Sequence, residues 1–253
     1  MRIVSRTLGI GGLMILAWIA LDPAGRWVWL WVPFIFHAFV LYPVLAPGCA
    51  WIGPSISSFS TRKKEVWITI DDGPNPEETQ RILDLLDRYA AKATFFVVGK
   101  KLKEHPDICR AIMDRGQGLE NHTWSHPRFM FWSFGKRKIE REIRLCSDQI
   151  EKISGGRPSY FRPPVGHTPW GLKSILREEK LSLVLWSTRA LDGLHYDRTR
   201  CLARLMGGLR PGAILLFHDG CGHGPELLEA LLRRMDELGY RAVIPQAPTE
   251  PIP

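Results

Sequence analysis

The chain reads as an α/β protein: a distorted (β/α) barrel behind an N-terminal hydrophobic membrane segment folded as a helical hairpin. Three features support this. From about residue 62, short apolar runs alternate with amphipathic ones, the pattern of a mainly parallel sheet with helices outside it. Reactive side chains fall just beyond the ends of successive apolar runs, as they do on the C-terminal rim of a barrel. Ahead of residue 60 the composition is instead apolar and poor in charge. Because about 190 residues is short for eight full β/α units, an open or distorted barrel is expected. The expected division is 1–60 for the membrane-associated region, 61–245 for the β/α domain and 246–253 for a disordered, proline-rich tail.

Residues 8–21 are apolar and uncharged, and after the break Asp22-Pro23-Ala24-Gly25-Arg26 a second apolar stretch occupies 27–46. Its length is about the twenty residues a helix needs to cross the hydrocarbon core. Trp27, Trp29, Trp31 and Trp51 suit an interfacial belt. The first stretch has a signal peptide as its alternative reading. The poor cleavage pattern Ala17-Trp18-Ile19-Ala20 and the apolar stretch that follows at once favour the hairpin. Arg2 and Arg6 at one end and Arg62, Lys63 and Lys64 at the other then lie on the same side, which the positive-inside rule places in the cytoplasm. The expected location is membrane-associated, at the inner membrane of a bacterial cell, with the β/α domain on the cytoplasmic face.

In the barrel region, residues 65–70 read as a strand. Asn75 then caps a helix with Pro76 at its first position and Glu77 and Glu78 in its first turn. That helix runs to about Tyr89, with Ile82, Leu83, Leu85 and Leu86 on one face. A second strand covers 93–98, a helix passes through 108–113 and stops at Arg115-Gly116, and a weak third strand over 117–121 delivers His122. Further strands are expected at 160–162, 181–186, 213–218 and 241–244, and helices at 136–153, 170–179, 198–208 and 225–238. The net charge of +8 comes largely from Lys and Arg scattered along amphipathic stretches, without a nucleic-acid motif, so no nucleic-acid partner is expected. Five irregularly spaced cysteines with no CxxC indicate neither a zinc ribbon nor a disulfide framework.

The chemistry concentrates in Asp71-Asp72 and His122-Thr123-Trp124-Ser125-His126. One aspartate and two imidazoles four residues apart make three ligands for a borderline divalent metal, zinc above all, with cobalt as an alternative. Three ligands leave a position open, as in catalytic rather than structural zinc sites. The other aspartate is then free to take a proton from activated water.

Five ordered segments resemble the polysaccharide deacetylases with a NodB-homology domain, carbohydrate esterase family 4, over residues 62–244. They are Thr69-Ile70-Asp71-Asp72-Gly73-Pro74 (with Ile70 where phenylalanine is usual), His122 to His126, Arg162-Pro163-Pro164-Val165-Gly166, Trp186-Ser187 followed by Asp192, and Leu216-Phe217-His218-Asp219. The resemblance implies that Asp71 is the general base and that Asp72, His122 and His126 hold the metal. It implies that Arg162 keeps Asp71 ionised and oriented, and that His218 is the general acid, oriented by Asp192. Leu216 would line the acetyl pocket, and the Val165 backbone N–H would help bind the oxyanion. Two departures stand out: Gly193 follows Asp192 where tryptophan is usual, and Arg189 occupies a position that is often acidic.

The expected function is metal-dependent hydrolysis of an N-acetyl or N-formyl group on an amino sugar of a glycan. The hairpin and the aromatic run Phe129-Met130-Phe131-Trp132-Ser133-Phe134 point to a lipid-linked saccharide and a membrane as partners. That run reads either as a lid on the barrel rim or as a surface touching lipid. Two other readings are a metal amidohydrolase for small non-sugar amides and a catalytically silent, membrane-anchored glycan-binding protein.

Overall fold

The computed structural model describes residues 26–49, 53–128, 130–193 and 196–246, with backbone alone at 26–30. Its sheet is built around β1 (Glu65–Asp71), which pairs with three other strands. The others are β2 (Ala93–Val97), β3 (Gly118–Asn121), β4 (Tyr160–Phe161), β5 (Ser182–Leu183), β6 (Thr188–Arg189), β7 (Ile214–His218) and β8 (Arg241–Ala242). Their order is β5-β4-β3-β2-β1-β7-β6, with β8 on the start of β1. Every pairing is parallel. A parallel sheet is covered on both faces, so β1 is buried continuously from Val66 rather than in alternation.

Side chains still alternate by face. Val66, Ile68, Ile70, Phe95 and Val97 pack into the main core under the helices. Trp67, Phe96, Tyr160, Val184 and Ile214 fill the inside of the curl. There the Trp67 indole N–H donates to Thr94 Oγ1 at 2.8 Å, which lets the polar end of a fully buried ring remain paired.

The sheet is a curled half-barrel, in agreement with the open barrel expected from chain length. A strap at 56–59 ties its two margins. Ile56 N donates to Leu183 O and Leu185 N to Ile56 O, both at 2.8 Å. On the other margin Phe59 N donates to Gly212 O at 2.9 Å, and Ser187 Oγ donates to Ser57 O at 2.6 Å.

The helices are α1 (Arg26–Leu45), α2 (Thr79–Arg88), α3 (Gly99–Glu104), α4 (Pro106–Asp114), α5 (Lys136–Ser154), α6 (Leu172–Glu178), α7 (Arg198–Gly207) and α8 (Gly224–Glu237). Several expectations need correction. Asn75 does not begin a regular helix. Its Oδ1 accepts the N–H groups of Glu77 and Glu78, both at 2.9 Å, and makes a turn from which α2 starts only at Thr79. The expected helix at 108–113 has a forerunner, α3, from which Pro106 separates it by disfavouring helical geometry at His105 (φ −127°, ψ 59°). The run 181–186 is a strand only at β5, because beyond it the chain pairs with the strap instead. β6 carries no strand signature in sequence.

The second apolar stretch does form α1, yet no helix among the described residues is long and apolar enough to cross a membrane. Pro33, His37 and Pro43 lie within α1. The first stretch, the flanking Arg2 and Arg6, Trp51, Phe129 and the tail beyond 246 lie outside the described residues, as do the side chains of Trp27 and Trp29. The C-terminal end of α1 docks on the barrel: Thr168 donates to Val44 O from its backbone at 2.9 Å and to Pro43 O from its hydroxyl at 3.2 Å. Trp31, Phe34, Ile35, Phe36, Phe39 and Tyr42 remain exposed. In the aromatic run Phe131 is fully buried with Ile139, Ile143 and Phe161, and Lys138 Nζ lies 3.6 Å over the Phe134 ring. This part of the run packs against the domain through Phe131 and Phe134, while Met130 and Ser133 are exposed.

Candidate active site

Neighbouring parallel strands bring their C-terminal ends to one edge, and that edge gathers the reactive side chains. Asp71 ends β1 and is the register partner of His218, which ends β7. His122 follows β3, and Arg162 follows β4. The loops beyond are held in unusual backbone. Of seven non-glycine residues with positive φ among those described, five lie here: Asp72, Thr123, His126, Val165 and Leu191. Such conformations cost about 1–3 kcal/mol each and persist only where the surroundings enforce them.

That enforcement is visible. Val98 N donates to Gly73 O at 2.9 Å, and Lys101 Nζ to Asp72 O at 2.7 Å. Asp219 N donates to Asp71 O at 2.9 Å. The Asp219 carboxylate accepts from Asn75 N and from the Thr79 hydroxyl. A Cβ on Gly73 would stand 2.6 Å from Asp219 Oδ2, so only glycine lets the two loops approach this closely. The histidine loop is held from α5: Glu142 accepts from Ser125 N and Ser125 Oγ at 2.8 and 2.9 Å. Asn121 accepts from Thr123 N at 2.8 Å.

Asp72, His122 and His126 converge, with one ligand atom from each within 4.8 Å of the others. Asp72 Oδ1 lies 3.4 Å from His122 Nε2 and 3.1 Å from His126 Nε2, is buried, and has no hydrogen-bond partner. An orphaned buried carboxylate oxygen facing two imidazoles is what a divalent cation would satisfy, so the donor set fits one. His122 Nδ1 donates to Arg162 O at 2.7 Å, which leaves Nε2 as the ligating nitrogen. Burial, then the charge of His122, pull His126 down to about 3, so it is a neutral imidazole. Burial alone would raise Asp72, but the neighbouring imidazoles, His122 first and then His126 and His218, hold it well below the usual carboxylate range.

Arg162 is fully buried beneath this group. It donates to Asp71 Oδ1 at 2.7 Å, Thr69 Oγ1 at 2.9 Å, Leu185 O at 2.8 Å and Val184 O at 3.2 Å, with its guanidinium 4.2 Å from the Phe96 ring centre. One oxygen of Asp71 is therefore fixed. The other faces the ligand set, 3.7 Å from His122 Nε2. Across the site His218 Nδ1 donates to Asp192 Oδ1 at 2.7 Å, and Asp192 Oδ2 accepts the His218 backbone N–H at 2.8 Å. Burial pulls His218 down, but the hydrogen bond and charge of Asp192, followed by Asp71 and Asp72, outweigh it and raise the imidazole to about 9. A buried, fixed carboxylate and a raised imidazole thus flank the Asp72–His122–His126 group.

Asp71, Asp72, His122, His126 and His218 line a pocket of about 130 Å³ together with Val165, Leu216, Trp186, Leu191, Gly193, Arg128 and Arg189, while Arg162 and Asp192 are buried behind it. That is well below the ~300–1,000 Å³ that encloses a drug-sized ligand, so it suits an acyl group with the rest of a substrate across its mouth. Every site residue expected from sequence reaches this edge. Arg128, Leu191 and Asp219 were not expected in it. Arg128 lies two residues beyond His126 and Asp219 closes the segment 216–219, an adjacency that is the one signal that could have found them. Leu191 carries no signal beyond its neighbour Asp192.

Residues 59–184 match the family model described as polysaccharide deacetylase. A chitooligosaccharide deacetylase of Rhizobium leguminosarum bv. trifolii is 33% identical over 160 residues, 62% of this chain and 73% of that protein. The chain belongs to the polysaccharide deacetylase family. The peptidoglycan-N-acetylmuramic acid deacetylase PdaC of Bacillus subtilis is 31% identical over 191 residues, 75% of this chain but only 40% of that protein. The solved structure of PdaC superposes with a TM-score of 0.67 at 31% identity, covering 73% of this chain and 89% of that one. BA3943 of Bacillus anthracis, a pseudoenzyme of carbohydrate esterase family 4, superposes at 0.68 with 26% identity, covering 75% and 66%.

Proposed function

We propose that the protein is a metal-dependent N-deacetylase of an amino-sugar glycan, acting on an N-acetyl or N-formyl group. The observation that carries this is the pairing of Asp71 and an imidazolium-prone His218 on either side of the Asp72–His122–His126 set. Those three residues would hold a divalent ion, zinc by the mixed oxygen and nitrogen donors. Such an ion supplies Lewis acidity and a water that ionises near neutrality. Asp71, fixed through one oxygen by Arg162, takes the proton of the attacking water on its other oxygen. His218 gives its proton to the departing amine nitrogen, and Asp192 keeps it aligned to do so. The Val165 N–H is assigned to the oxyanion, and Leu216 packs against the acyl methyl.

We assign catalysis to residues 61–245, completed by the strap at 56–59, and attachment to the N-terminal region. The exposed apolar side chains of α1 beside the pocket loop favour a membrane surface, and with it a lipid-linked saccharide. Arg2, Arg6 and Arg62–Lys64 would keep the catalytic domain on the cytoplasmic side. Flotation of the protein with lipid vesicles and protease protection in cells check these two points.

The test of the chemistry is acetate or formate release by metal-loaded protein, compared with Asp71→Asn. We expect about one bound ion in both proteins and turnover reduced at least about 10³-fold in the variant. Full activity in the variant would remove Asp71 as the base. Release from simple amides but not from amino sugars would turn the reading to a small-amide hydrolase. Glycan binding without release by metal-loaded protein would make it a silent relative.

A further inference from the structure

The pocket carries two guanidinium groups that the hydrolysis just proposed does not use. Arg189 sits on β6 as the register partner of Leu216, at the pocket wall, with its guanidinium 5.5 Å from the Trp186 ring centre. It forms no ion pair among the described residues. Arg128 follows the second histidine ligand, is half exposed, and finds only Asp72, at 3.5 Å. The carboxylates nearby are already committed. Asp71 belongs to Arg162 and Asp192 to His218, at 2.7 Å each. Asp72 belongs to the metal-binding set, so an ion held there would leave Arg128 without a counter-charge.

With a divalent ion in place, positive groups outnumber carboxylates around the pocket. A neutral N-acyl sugar offers nothing to balance them. An oxyanion does, and the planar guanidinium fork matches phosphate or carboxylate oxygens. Cations lining a concave site also raise the local concentration of anionic ligands.

We propose that Arg189 and Arg128 form an anion subsite, and that the substrate is an amino sugar carrying a phosphate or carboxylate group next to the acylated position. This rests on the deacetylase reading above and narrows its substrate class. It also gives β6 a function: two residues of strand, braced by the barrel, hold Arg189 at the wall.

The test uses full-length, metal-loaded protein and Arg189→Gln, with Arg128→Gln as a second variant whose metal content is measured. The soluble substrates are N-acetylglucosamine methyl glycoside (neutral), N-acetylglucosamine 1-phosphate and N-acetylmuramic acid. A polyprenyl-phosphate-linked N-acetylglucosamine in mixed micelles separates a lipid-borne phosphate from a soluble one.

We expect kcat/KM to favour the anionic substrates by about tenfold or more over the neutral glycoside, as a charge-assisted hydrogen bond provides. Arg189→Gln should reduce that preference about tenfold, chiefly through KM, and raised salt should reduce it too. Equal kcat/KM for neutral and anionic substrates, with both lowered alike in Arg189→Gln, would overturn the subsite. If no substrate releases acid, the deacetylase reading fails, and calorimetric titration still decides the subsite. Tighter binding of N-acetylglucosamine 1-phosphate than of the methyl glycoside, lost in Arg189→Gln, supports it; equal affinities overturn it.

Discussion

Replacing Asp192 by asparagine removes the charge that keeps His218 protonated while leaving a side chain of the same shape. His218 stands at about 9 against an ordinary 6.5, although burial pulls it the other way. At ~1.36 kcal/mol per unit, the gap is about 3 kcal/mol of preference for the imidazolium. Without Asp192 the largest raising influence goes and the burial stays, so His218 returns to the ordinary range. Slightly above neutrality only about one-tenth of it is then protonated, a tenfold loss of acid. Lost alignment brings the expected fall in kcat to about 10²–10⁴-fold. A bound dication also pulls His218 down, so the wild-type alkaline limb of kcat should lie between 6.5 and 9, and that of the variant below it. The metal-free protein gives a second reading. The folded value of His218 is raised, so its contribution to stability is full below about pH 6.5 and is lost as pH rises through about 9. Wild type should therefore lose melting temperature across that window, and Asp192→Asn should not. An alkaline limb that stays where wild type has it would refute this assignment of acid and orienting group.

Three further outcomes follow from the packing. Arg162→Met leaves Asp71 buried without its partner and should destabilise the fold by about 3–5 kcal/mol, read by chemical denaturation. Phe131→Ala empties a fully buried site between the rim segment and Ile139, Ile143 and Phe161; a loss of about 3–5 kcal/mol is expected, with the metal set intact by ion content. Asp219 is raised to about 6 by burial, so its charged form weakens the fold as pH rises from about 4 through about 6. Asp219→Asn keeps an oxygen to accept from Asn75 and Thr79, and should gain about 2–3 kcal/mol near pH 7 but nothing below about pH 4. A variant no more stable at pH 7 would show that the hydrogen bonds need the carboxylate.

Fold and site were legible where a single segment carries its own pattern. Residues 66–70 are buried without interruption and four of the five are apolar, because β1 is covered on both faces, and Asp71-Asp72 mark its end for the same geometric reason that places chemistry at strand ends. Features that depend on partners far away in sequence were not legible. β6 is two residues, neither apolar, and is a strand only because Thr188 and Arg189 pair with β7. The run 181–186 looks like one strand, but its second half binds the strap at 56–59, more than a hundred residues earlier. Asn75 has every local mark of a helix cap, yet Asp219 and Thr79 draw its N–H into a turn. Apolar length likewise suggested a membrane span in residues 27–46; a helix forms there, but no helix among the described residues is long and apolar enough to cross a membrane.

Asp219 shows why the site edge is not optimised for stability. An asparagine there would relieve a buried charge, and the carboxylate has one buried oxygen without a partner. The carboxylate nevertheless draws together the loops that follow β1 and β7, next to Asp72 and His218. Asp72 is held at φ 72°, a conformation that relaxes unless the loop is gripped from outside. A charged acceptor grips an N–H and a hydroxyl more strongly than an amide oxygen does. The free energy lost to the buried charge and the strain stored in Asp72 are therefore linked. A looser acceptor would stabilise the fold and let the ligand loop relax, the usual relation between stability and a strained site. Asp219→Asn should then bind the divalent ion more weakly as it becomes more stable, and unchanged affinity in a more stable variant would break that link.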